Sequence, residues 1–111
     1  MSRTNWKARE RQAAAIVKGR RFPANQGGAV DVESADFCVQ VKERRVFSLT
    51  QMETEAVEID RVATQKNKCG VLMVKRSAGK GIETPWLFVL TEAQWRYLNG
   101  RLPTDLDRGR G

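Results

Sequence analysis

Residues 29–42, AVDVESADFCVQVK, hold two runs of alternating polarity around a polar turn. Val30 and Val32 alternate with Asp31 and Glu33, and Phe37, Val39 and Val41 alternate with Cys38, Gln40 and Lys42. A period of two marks strands, because successive side chains leave opposite faces of a sheet. Ser34 to Asp36 supplies turn chemistry, so the segment predicts a β-hairpin with Val30 and Val32 on one face.

The flanks of this hairpin set the fold class. Upstream, Trp6, Ala13, Ala14 and Val17 recur at helical spacing, with Glu10 on the same stripe. The spacing predicts a helix over about residues 4–18, ended by Gly19. Residues 20–28 predict one short strand and a loop. Downstream, Ser48 and Gln51 have capping-box spacing at the start of a helix predicted over about residues 49–66. Leu49, Met52, Ala56, Ile59 and Ala63 form its apolar stripe. Cys69 to Val74 is continuously apolar, as a central strand is. Glycine-rich Ser77 to Thr84 predicts a mobile loop, and Trp86 to Leu90 a further strand. Thr91 and Gln94 cap a last helix closed by Gly100, and Trp86, Phe88 and Trp95 read as core aromatics. The order predicts an α/β fold with a central mixed sheet of about five strands flanked by helices. One domain covers residues 1–100, and residues 101–111 read as a flexible tail.

The chain has 111 residues, enough for one modest core. Its 20 Lys and Arg outnumber 13 Asp and Glu, giving a net charge of +7. The basic residues are spread along the chain, so the whole domain is attracted to polyanions, nucleic acid first and an anionic membrane surface second. The absence of histidine excludes histidine metal sites, Ser-His-Asp triads and imidazole acid–base chemistry. Catalysis would fall to carboxylates, lysine, hydroxyls or a metal held by oxygen. Cys38 and Cys69 each sit in an apolar run and read as buried thiols of a reducing cytoplasm. The polar N-terminus carries no signal-peptide core, and no apolar run reaches membrane-spanning length. Ser77-Ala-Gly-Lys-Gly81 lacks the spacing of a phosphate-binding P-loop.

Gln40 and Lys42, two apart on a strand, set an amide and an ammonium side by side. Asp31 joins them if the hairpin loop is two or four residues long; a three-residue loop points it away. Glu10 reaches the group if the first helix packs across the sheet end. Oxygen ligands converging beside a cation are what metal-assisted phosphodiester cleavage needs.

Glu10 in a first helix, Asp31 after a glycine-rich stretch and Gln40-Val41-Lys42 on the next strand resemble the PD-(D/E)XK nucleases. The run from Lys7 to Arg45 is most similar to the branch of archaeal and phage Holliday-junction resolvases and related small phage proteins. The resemblance implies a restriction-endonuclease-like fold and a Mg²⁺- or Mn²⁺-dependent endonuclease acting on branched or duplex DNA. It implies a homodimer in the cytoplasm, the host's if a phage encodes the chain. Asp31, Gln40 and Glu10 would hold the metal, and Lys42 would orient or activate the attacking water. Arg20, Arg21, Arg44, Arg45 and Lys80 would contact DNA.

Two positions depart from the pattern. Val30 stands where a proline is common, and Gln40 stands where a glutamate is expected. A neutral amide offers an oxygen to a metal but not a charge. Three readings follow: Glu10, Asp31 or Glu33 compensates, the chain binds DNA without cutting it, or a glutamate has been replaced in an inactive form. A basic adaptor for an acidic protein is a further alternative.

Overall fold

The computed structural model describes residues 5–22 and 28–101. Its order is α1 (Asn5–Val17), β1 (Arg20–Arg21), β2 (Val32–Glu33), β3 (Phe37–Arg44), α2 (Leu49–Thr64), β4 (Cys69–Arg76), β5 (Trp86–Val89) and α3 (Glu92–Arg101). The five strands form one sheet in the order β1-β2-β3-β4-β5. β3 and β4 run parallel and every other pairing is antiparallel. This is the α/β architecture with a five-stranded mixed sheet that the pattern predicts.

The alternation of β3 divides the core. Ala13 and Ala14 of α1 pack with Val32, Val39, Val71 and Met73 on one face. On the other face Ile59 and Ala63 of α2 pack with Cys38, and Ala56 packs with Leu72 and Val74. The two apolar registers of β3 and β4 thus serve one helix each, which is why β4 reads as a continuous apolar run. Both cysteines are buried.

Helix ends follow the polar punctuation closely. The Ser48 hydroxyl accepts from the Gln51 N–H at 3.1 Å. Thr91 and Gln94 complete a reciprocal box, with Thr91 N–H to Gln94 Oε1 at 2.6 Å and Gln94 N–H to Thr91 Oγ1 at 3.2 Å. Gln94 Nε2 also donates to the Ala56 carbonyl, tying α3 to α2.

Several expectations are corrected. Lys18, not Gly19, takes the left-handed turn after α1, with φ 59°. The N–H groups of Lys18 and Gly19 then reach the Ala15 and Ala14 carbonyls, a Schellman closure. Gly19 is needed for another reason: a Cβ there would lie 2.4 Å from the Glu33 carbonyl oxygen. Helix α2 ends at Thr64, two residues early, because Asn67 turns left-handed behind it. α3 runs through Gly100 to Arg101, the first residue assigned to the tail. Leu49, the first residue of the helix, stands 78% exposed rather than in the α2 stripe. Phe88 and Trp95, expected in the core, are exposed because β5 is the sheet's edge and α3 covers only part of it. The first residue of the N-terminal helix as read, residues 23–27 of the early loop and residues 102–111 of the tail lie outside the described residues.

The hairpin also differs. Pairing of Val32 with Val39 and Glu33 with Cys38 leads to Ser34 N–H on the Phe37 carbonyl, so Ala35 and Asp36 form a two-residue turn. Val30, however, packs on the α2 side while Val32 packs on the α1 side. The cause lies between them. The Asp31 N–H reaches the Val39 carbonyl at 2.8 Å although Val32 already stands opposite Val39. Two residues of one strand therefore face one of the other, a bulge that reverses the alternation at Asp31.

Candidate active site

The bulge determines what Asp31 does. β2 stops early, so β3 continues beyond it with an unpaired edge. There the Asp31 carboxylate accepts the Val41 N–H at 2.8 Å, substituting a side chain for the missing strand. Asp31 thus lies at the sheet edge, between the α1 face and the α2 face.

Glu10 approaches from the α1 side. It is buried, at 8% exposure, as its place on the apolar stripe of the helix implies. Arg21 of β1 bonds its Oε1 at 3.0 Å, and its charge acts on the Asp31 carboxyl. Burial, helped by the charge of Glu10, pushes the Asp31 pKa up to about 6, against the lowering effects of the Val41 N–H and the Lys42 ammonium. The Glu10 carboxyl and the Lys42 ammonium therefore both act on Asp31 at this edge.

Gln40 and Lys42 share a face, as their spacing requires. That face is the α2 side: Glu43 turns to Arg9 of α1, while Arg44 turns to Glu55 of α2. Gln40 Nε2 donates to the Ala29 carbonyl at 3.2 Å, and its buried Oε1 has no hydrogen-bond partner among the described residues. Lys42 makes no ion pair among the described residues yet acts electrostatically on Asp31. Glu10 and Gln40–Lys42 thus flank the Asp31 edge from opposite faces rather than lining one strand surface. Glu33, named as a compensating acid, is drawn away: it pairs with Lys66 and Lys68. Burial raises its pKa, but those two ammonium groups outweigh it and hold the carboxyl below its usual range. No cluster of three or more His, Cys, Asp or Glu side chains suited to a metal occurs among the described residues.

The arginines divide into two groups. Arg21 is bonded to Glu10, and Arg44 is held by Glu55 over the Phe47 ring. Arg20, Arg45 and Lys80 are exposed and carry no ion pair among the described residues. Arg20 lines a cleft with Lys18 and Lys68, and Arg45 lines one with Glu10 and Val41. Two features escaped the pattern. Arg9 forms a two-pronged pair with Glu43 beside the Glu10 cleft, a contact between residues 34 apart that no local spacing announces. Lys75, inside an apolar strand, is buried, donates to the Thr84 carbonyl and pins the end of the glycine-rich loop.

No protein-family model, curated protein or solved structure matches the chain. Among the described residues, no helix is long and apolar enough to cross a membrane.

Proposed function

We propose that the chain is a metal-dependent DNA endonuclease of the PD-(D/E)XK type, selective for branched DNA. The observation that carries this reading is the buried Asp31 carboxyl at the open edge of β3, on which Glu10 and Lys42 both act. Two mutually repelling acids, one of them driven up to about 6, suit a hard divalent cation, which relieves the repulsion. Gln40 Oε1, without a partner among the described residues, is a candidate third oxygen. Glu10, Asp31 and Gln40 would hold Mg²⁺ or Mn²⁺. Bound there, the cation supplies positive charge to the scissile phosphate and lowers the pKa of water.

The chain's own groups do the rest. The Lys42 ammonium favours the ionised form of Asp31 and is the donor available to the attacking water or a phosphate oxygen. Arg21 holds the Glu10 carboxylate in place. Arg20, Arg45 and Lys80 are free to meet phosphates along the strand.

Incubation with four-way junction, nicked, single-stranded and linear duplex DNA tests this. Cutting should require Mg²⁺ or Mn²⁺, favour the branched form and vanish in Lys42→Ala. Gln40 supports a second reading, a noncatalytic DNA-binding module, because its amide adds no charge and already bonds the Ala29 carbonyl. DNA binding without cutting in any metal would decide for that module.

A further inference from the structure

We propose that Trp6 is a stacking platform for an unpaired base beside the cleavage site, so that the substrate class is nucleic acid with exposed bases. This rests on the nucleic-acid reading above and names the feature that selects among DNA forms.

Trp6 lies one helical turn before Glu10 on the same side of α1, where its spacing calls for a buried residue. It is nevertheless 45% exposed. It lines the same cleft as Glu10, Val41 and Arg45, so a half-exposed indole borders the carboxyl that acts on Asp31. Cations surround it: the Lys7 ammonium and the Arg21 guanidinium each stand 5.6 Å from the ring centroid. Arg21 also bonds Glu10, so one side chain links the platform to the candidate metal site.

A base stacking on the ring would take the place of the exposed Lys7 ammonium over it, and that cation and Arg21 would then meet the phosphates alongside. In an intact duplex both faces of each base are covered by its neighbours, and reaching Trp6 would require unstacking it. At a flap or single strand that cost is already met. Trp6 therefore discriminates by exposure of the base, whereas the spread basic charge acts on every form alike.

Binding in EDTA separates the contributions. Full-length protein is titrated with oligothymidylate, a flapped duplex and a blunt, fully paired duplex. Trp6→Ala should weaken the first two roughly tenfold, the scale of one base–aromatic stack, and the blunt duplex less than twofold. Trp6→Phe should keep most of the affinity. It should also lose the fluorescence quenching that oligothymidylate causes in the wild type, although Trp86 and Trp95 remain. Equal losses on all three DNAs, no loss, or quenching that persists in Trp6→Phe would overturn the platform while leaving DNA binding intact. A wild type that binds none of the three at low salt would overturn the nucleic-acid reading and the platform with it. Should Trp6→Ala melt early, Trp6→Phe and Trp6→Tyr carry the quenching test.

Discussion

Asp31 is the residue on which the chemistry and the stability of the site meet. Its folded-state pKa of about 6 stands above the ordinary 3.8, so the native state prefers the protonated acid. The stability this confers is fully present below the ordinary value and is lost as pH rises through about 6. Asp31→Asn removes the charge and keeps an oxygen for the Val41 N–H. It should be more stable than wild type at pH 8 by about 1–2 kcal/mol, after allowance for partial solvent screening. The difference should shrink through pH 6 and disappear near pH 4 in urea denaturation curves. A divalent cation needs the ionised acid, so the rise in Tm caused by Mg²⁺ should fade below pH 6 in wild type and be absent in Asp31→Asn.

Gln40 flanks the same edge. Gln40→Glu places a third acid beside a repelling pair, so without metal it should lower the Tm, and with Mg²⁺ or Mn²⁺ it should restore the Tm and raise any cutting rate. If Gln40→Glu neither responds to a divalent cation in melting curves nor cuts any DNA form, the metal site is lost as an explanation. The residue identities at this site are legible in the sequence because β3 alternates and Glu10 falls on a helical stripe. The geometry is not. Nothing in AVDVE announces a bulge, and a regular hairpin with the same two-residue turn would have put Asp31 on the face of Gln40 and Lys42.

Elements meet where glycines allow it. Gly70 opens β4 against α2, and a Cβ there would lie 2.5 Å from the Asp60 Cα and 2.6 Å from the Asp60 nitrogen. Both are backbone atoms inside a helix and cannot turn aside. Gly70→Ala should therefore destabilise by about 3 kcal/mol through forced separation of helix and strand. The adjacent Asp60 Oδ1 accepts the Gly70 N–H at 3.3 Å, a second tie at the same crossing. A chemical denaturation curve checks the size, and a cost below about 1 kcal/mol would show that α2 slides freely over β4. The contrast with the helix caps is instructive. Ser48–Gln51 and Thr91–Gln94 are readable because donor and acceptor lie three residues apart. Gly19 and Gly70 carry their meaning in contacts to residues 33 and 60, across the fold, so their role becomes visible only when the elements pack.

The fold carries two further properties, its charge and its uncovered edge. A net charge of +7 on one small domain, with Arg20, Arg45 and Lys80 unpaired among the described residues, should make DNA affinity fall steeply with salt. The opposite end of the sheet is different in kind. β5 is an edge strand of four residues, Trp86 to Val89, with no charge or proline within it. Leu87 and Phe88 are exposed on its two faces. An antiparallel edge is self-complementary about a two-fold axis, so a second copy pairing β5 with β5 would satisfy its free backbone groups and cover both side chains at once. Such a dimer also supplies the proposed activity with what one chain lacks, a second site for the second DNA strand. Sedimentation at tens of micromolar should show a dimer, and Leu87→Lys and Phe88→Lys together should return it to monomer with the fold intact by circular dichroism. In that double variant a nicked duplex should still be cut once, while coordinated cutting of two strands of a four-way junction should be lost. A wild type that sediments as a monomer with and without DNA would leave β5 as a blunt edge and remove the two-site geometry from the proposed reaction.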